Sequence, residues 1–124
     1  MKTFTFLFLS CLLSFGFVQA QNFPIDFESG TYTFTDFDGG VVTIIDNPHS
    51  EAINTSAKVA QMVKNAGQTW GGSKLALSGT IDFSANQVFS MRVFSPSAGV
   101  PALFKLENGD GSVYAEKTMN TTVA

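Results

Sequence analysis

The residues able to do chemistry are few and scattered. His49 is the only histidine, and it sits in Pro48-His49-Ser50, a loop motif with no catalytic partner beside it. Serine-nucleophile chemistry would place its serine in a strained Gly-x-Ser-x-Gly turn, and the chain has none. Asp26 and Glu28 stand two positions apart. On a strand they would share one face, about 7 Å from each other. That separation falls within the range of about 5 to 9.5 Å used by the paired carboxylates of glycoside hydrolysis. Two acids on a first strand are more often solvated or metal-binding, so the pair is a weak basis for catalysis.

Aromatic side chains make a better case for binding. A pyranose presents apolar C–H faces that stack on an exposed ring, while amides and carboxylates meet its hydroxyls. Trp70 is the only tryptophan and lies in the glycine-flanked stretch Gly67-Gln68-Thr69-Trp70-Gly71-Gly72; Tyr32 and Tyr114 are the only tyrosines. These three are the candidate carbohydrate-binding residues. The competing reading of Trp70 is a ring that caps one end of the fold. Every other aromatic residue is phenylalanine, which mostly means core.

Charge narrows the partners. The chain carries 7 Lys+Arg against 10 Asp+Glu. Without Lys2 the balance is 6 against 10, a net charge of −4. The cations are spaced singly, with no basic patch, so neither nucleic acid nor an anionic membrane surface is an expected partner. No cysteine–histidine set exists for zinc.

The elements that must position these residues begin after a leader. Lys2 supplies a short positive start, residues 4 to 18 are an apolar run, and Val18-Gln19-Ala20 places small residues where a signal peptidase cuts. Residues 1–20 are therefore expected to be a signal peptide, and the protein is expected to be secreted, outside the cell or at its surface. The run is short for a transmembrane span. Cys11, the only cysteine, falls within it, so residues 21–124 must be held by a core or a metal rather than by disulfides.

Residues 75 to 107 dominate the remainder. Period-two alternation divides them into three expected strands: Leu75, Leu77, Ile81 and Phe83 on one face of the first, Phe89, Met91 and Val93 on one face of the second, and Ala102, Phe104 and Leu106 on one face of the third. Leu77, Ile81, Phe83, Phe89, Met91, Val93, Phe104 and Leu106 are the expected core. Further strands are expected over residues 24–28, 31–37, 41–46 and 57–64. Asp36-Phe37-Asp38-Gly39-Gly40 reads as a turn whose glycines can take positive φ. Asn108-Gly109-Asp110-Gly111 reads as a hairpin turn into a returning strand over residues 112–119. Strands at this spacing indicate an all-β sandwich or barrel, and the antiparallel meander, the kind that forms half of a sandwich, favours an antiparallel β-sandwich of jelly-roll type. The sequence stops at Val123-Ala124 without a turn signal or a polar tail, so residues 21–124 are expected to be an incomplete module that lacks its C-terminal strand.

Several short stretches, in order, carry a resemblance. They are Ile25-Asp26-Phe27-Glu28, Asn47-Pro48, Asn54-Thr55-Ser56-Ala57-Lys58-Val59, the Trp70 loop, Ile81-Asp82-Phe83-Ser84, Phe89-Ser90-Met91-Arg92-Val93-Phe94-Ser95-Pro96 and Phe104-Lys105-Leu106-Glu107-Asn108. Together they resemble the carbohydrate-binding, galactose-binding-like β-sandwich modules of secreted polysaccharide-degrading proteins of Bacteroidetes, those found beside laminarinases. The resemblance implies a non-catalytic accessory module that binds a polysaccharide such as a β-glucan for an attached glycoside hydrolase, with catalytic or sorting domains outside this chain. It also implies a structural Ca²⁺ at the sheet edge, with Glu28 and Asp26 as first-strand ligands, since Ca²⁺ takes about 6 to 8 oxygens. The Glu-x-Asp-x-x-Glu strand of laminarinase-type hydrolases is absent, in keeping with a module that is not itself an enzyme. The alternative is a structural or adhesive spacer. Burial of Trp70 would favour the spacer, and exposure beside polar groups would favour binding.

Overall fold

A computed structural model describes residues 24–51, 53–85 and 87–122. The leader expected over residues 1–20 lies outside the described residues. Among those described the chain is all-β: six strands form three antiparallel pairs, and there is no helix. The strands are β1 (Phe34–Phe37), β2 (Gly40–Asp46), β3 (Lys58–Lys64), β4 (Gly72–Leu75), β5 (Pro101–Glu107) and β6 (Tyr114–Asn120). They divide between two compact units, whose described residues fall within Met1–Ser50 with Thr55–Thr80 and within Glu51–Asn54 with Ile81–Ala124.

The first unit contains two ribbons. β2 pairs with β3 over seven residues, from Gly40↔Lys64 to Asp46↔Lys58. The run Val41-Val42-Thr43-Ile44-Ile45 favours this because β-branched side chains pack well on a pleated surface. At its far end Asp46 and Lys58 face each other across the ladder, 2.5 Å apart. The ladder continues one step beyond, where the Asn47 amide donates to the Ala57 carbonyl. The second ribbon pairs β1 with β4, from Phe34↔Leu75 to Phe37↔Gly72. Only Asp38 and Gly39 separate β1 from β2, and both take positive φ, 49° and 84°. That tight Asp-Gly turn joins strands that belong to different ribbons. Gly40, immediately after it, is buried.

The second unit is a hairpin of β5 and β6, from Pro101↔Asn120 to Glu107↔Tyr114. Asn108 closes it from both ends of its own residue. Its amide donates to the Val113 carbonyl and its Oδ1 accepts from the Val113 amide, each at 3.0 Å. At the open end Thr121 exchanges backbone bonds with Gly99 and Val100 and donates its hydroxyl to the Ser97 carbonyl.

Several expectations need correction. Of the three strands expected between residues 75 and 107, only the third forms among the described residues; Leu75 instead ends β4, and the described residues between 76 and 100 join no ladder. The expected strand over residues 24–28 is absent too. The reason lies in local competition for the backbone. Asp26 Oδ1 accepts from the Glu28 amide, and Asp82 Oδ1 accepts from the Ser84 amide and hydroxyl. Such Asx turns satisfy an amide that a ladder would otherwise need. Phe27, with φ of 64°, leaves the extended region altogether. Conversely, the Gly72–Leu75 strand begins at Gly72, the last residue of a stretch expected to be loop, and ends at Leu75, where an expected strand was to begin.

The expected core is also corrected. Leu77, Ile81, Phe89, Phe104 and Leu106 are half-buried, Phe83, Met91 and Val93 are exposed, and no described hydrophobic side chain is fully buried. Two-stranded ribbons explain this, since a lone ribbon leaves much of both faces in water.

Candidate functional site

Trp70 projects from the link between β3 and β4. The Gly71 amide donates to the Gln68 carbonyl at 3.0 Å, closing a β-turn whose central residues are Thr69 and Trp70. The indole is 65% exposed. It is nevertheless fixed, because its Nε1–H donates to Asp38 Oδ2 at 2.8 Å. An ionised acceptor makes that bond stronger than a neutral one.

Glycine allows the two turns to meet. A Cβ at Gly39 would stand 2.9 Å from the Asn65 carbonyl oxygen and closer still to that of Ala66. A Cβ at Gly67 or Gly71 would each fall 2.7 Å from the Asp38 carbonyl carbon. The Asp38 peptide is thus clasped by Gly67 and Gly71, while the Asn65 amide donates to the Gly39 carbonyl at 2.7 Å. Lys64 lies along the same loop, its Cε 2.7 Å from where a Gly71 Cβ would be and its ammonium donating to the Asn65 carbonyl. The exposed side chains of Asp38, Asn65, Gln68 and Thr69 belong to the same two turns as the ring. An apolar face bordered by a carboxylate, amides and a hydroxyl can stack on a ring and hydrogen-bond its substituents.

The other candidate residues occupy different settings. Tyr32 belongs to the first unit and is half-buried. Its hydroxyl donates to Asp26 Oδ1 at 3.2 Å and accepts from the Phe27 amide at 3.1 Å, and its ring meets that of Phe27 edge-on at 5.1 Å. Burial, followed by the bond to Asp26, raises its pKa above the ordinary tyrosine value of 10.0. These contacts make Tyr32 a brace for residues 24–32. Tyr114 belongs to the second unit and is exposed, but the Lys105 ammonium stands 4.4 Å from its ring centroid and covers one face. The Glu107 carboxylate, 2.8 Å from that ammonium, is the main cause raising the Lys105 pKa.

The carboxylates proposed for metal are also engaged. Glu28 Oε1 accepts from the Ala57 amide at 2.6 Å and the Lys58 amide at 3.3 Å, tying residues 24–32 to the start of β3. Asp26 Oδ1 takes the Tyr32 hydroxyl and the Glu28 amide. Among the described residues no three His, Cys, Asp or Glu side chains gather in a metal-binding group. Asp26 and Glu28 therefore do not by themselves fit a Ca²⁺ ion that needs about 6 to 8 oxygens. Nor do they share a strand face, since no strand forms there. The His49 amide donates to Asn47 Oδ1, as befits a loop residue. Among the described residues no helix is long and apolar enough to cross a membrane.

Sequence reasoning singled out Trp70 and missed Asp38, which it treated only as part of a turn. The available signal was the matching of two glycine-rich turns, Asp38-Gly39-Gly40 and Gly67 through Gly72. No protein-family model matches the chain, and neither a curated protein nor a solved structure matches it.

Proposed function

We propose that the chain is a secreted, non-catalytic carbohydrate-binding module of β-sandwich type, galactose-binding-like, that holds polysaccharide for an attached glycoside hydrolase. The observation that carries this reading is the exposed Trp70 ring, anchored through its indole N–H to Asp38 and flanked by polar side chains. A ring held in place before binding loses little freedom when a sugar arrives, which favours affinity. Stacking on one ring gives modest strength. A neutral β-glucan fits that chemistry, since its equatorial hydroxyls leave the C–H faces open. Ca²⁺ belongs to this reading only if further oxygens join Asp26 and Glu28.

Affinity electrophoresis in gels containing β-glucan tests it. The protein is expected to be retarded, and Trp70→Ala to migrate as in a gel without glycan while its circular dichroism spectrum is unchanged. Loss of a hot-spot ring commonly costs about 2 kcal/mol or more, roughly thirtyfold in affinity. Free migration of the unaltered protein across a broad glycan panel would refute binding and leave the spacer reading.

A further inference from the structure

The turn between β5 and β6 holds the one asparagine of the sequence that is followed by glycine, Asn108-Gly109. Both residues are exposed and lie outside the β5–β6 ladder. Gly111, two residues on, has φ of 73°, which accounts for its being glycine. Gly109 has no such reason, since its φ is not positive and a Cβ there would meet nothing within 4 Å. No hydrogen bond engages its amide among the described residues. The Asn108 side chain is held beside it. Its Oδ1 accepts from the Val113 amide and its Nδ2 donates to Ser112 Oγ, each at 3.0 Å.

We infer that Asn108 deamidates spontaneously in the folded chain, with water as the only co-reactant. The Gly109 amide nitrogen loses its proton to hydroxide and bonds to Asn108 Cγ. The Cγ–Nδ2 bond then breaks, and the side-chain nitrogen takes a proton from water and leaves as ammonia. A succinimide ring remains. Water opens that ring at either carbonyl. Opening at Cγ restores the ordinary chain with an aspartate. Opening at the main-chain carbonyl leaves an isoaspartyl link, in which the chain runs through the former side chain. No electrons are gained or lost, and the net change is water in and ammonia out. Glycine favours the first step because no side chain shields its nitrogen. The Val113 N–H already donates to the oxygen on which charge builds as the nitrogen adds, and a donor placed there lowers the barrier.

The two products affect the hairpin differently. An aspartate keeps an oxygen for the Val113 amide, and the Ser112 hydroxyl can turn to donate to the other. The isoaspartyl link puts one extra carbon into the main chain between β5 and β6. The bonds from the Asn108 amide to the Val113 carbonyl and from the Gly111 amide to the Asn108 carbonyl then fall out of line. Either product adds a carboxylate close in sequence to Glu107 and Asp110.

Peptide mapping by mass spectrometry tests this on the purified protein, kept folded for days at neutral and at mildly alkaline pH. The peptide containing residue 108 should gain the mass difference between an amide and an acid, and should separate into aspartyl and isoaspartyl forms. The change should be faster at the higher pH, because the nitrogen reacts after losing its proton. Gly109→Ala should leave the circular dichroism spectrum unchanged, given the open space there, and should largely suppress the mass gain. Retention of the amide in the folded protein would overturn the inference. Modification only in urea would then mean that the bonds to Val113 and Ser112 hold Cγ away from the glycine nitrogen. Equal mass gain in Gly109→Ala and the unaltered protein would overturn it as well.

Discussion

Replacing Gly39 by alanine will loosen the Trp70 site without touching Trp70. Gly39 has φ of 84°, where an L-residue costs about 1 to 2 kcal/mol. The new Cβ would also lie 2.9 Å from the Asn65 carbonyl oxygen and nearer to that of Ala66, so the residue 65–67 backbone must retreat. Retreat breaks the 2.7 Å bond from the Asn65 amide to the Gly39 carbonyl. A lost backbone bond of this kind adds about 1 kcal/mol, for a total of about 2 to 3 kcal/mol. In a unit of this size that lowers Tm by about 10 to 20 °C. Trp70 is the only tryptophan, so its fluorescence follows the first unit selectively through thermal unfolding. Two further variants separate the causes. Gly30 has φ of 95° with nothing within 4 Å of a Cβ, so Gly30→Ala should show the conformational cost alone, about 1 to 2 kcal/mol. Gly79 has open space and no positive φ, so Gly79→Ala should be neutral or stabilising by up to about 1 kcal/mol. If Gly39→Ala proves no worse than Gly30→Ala, the two turns do not clasp as described.

Asp38→Ala should free the indole, seen as a red shift and lower anisotropy of Trp70 emission, whereas Asp38→Asn keeps an acceptor and should change both less. Tyr32 is held above the ordinary value of 10.0, so its contribution to stability is complete below that pH and is lost as pH rises through the higher folded value. Asp26→Ala removes the bond to Tyr32 and should bring phenolate absorbance at lower pH in a spectrophotometric titration, though only part of the way, since burial is the larger cause. Asp46, Asp82 and Asp110 are held below the ordinary carboxylate value of 3.8, by Lys58, Ser84 and Ser112 respectively. Their contributions are present above that value and fade as pH falls through the folded ones, so amide shifts of Ser84 and Ser112 in a ¹H–¹⁵N titration should move only below pH 3.8. Glu28→Gln retains an acceptor for the Ala57 and Lys58 amides and should disturb their chemical shifts less than Glu28→Ala does.

Much of the strand pattern is legible locally. The Val41–Ile45 run marks β2, the alternation through Val59 and Val63 marks β3, and Asn108-Gly109-Asp110-Gly111 announces the turn between β5 and β6. What these share is a strong local preference or a short loop. The alternation around Ile81 and Met91 is just as regular, yet no ladder forms there. Periodicity says which side chains would share a face and is silent about whether a neighbouring strand exists. The turn at Asp82 was detectable in principle, because an aspartate two residues before a serine amide can bond to it. The β1–β4 pairing was harder to see. It joins residues 35 to 41 positions apart, and β4 begins with a glycine and a serine, neither a strand former. Trp70 was recognisable as a candidate by type and flanking glycines. Its anchor is Asp38, and no local rule links those two positions.

The clasp of glycines around the Asp38 peptide has a consequence for how this surface can change over generations. Gly39, Gly40, Gly67 and Gly71 have no room for a side chain, so a substitution at any of them forces the facing backbone to move and costs stability. Gln68, Thr69 and Trp70 stand outside that constraint, facing water. Room for change at little cost to the fold therefore lies at the tip rather than in its mount. Single substitutions at those three positions alter the chemistry of the tip without moving the backbone that carries it.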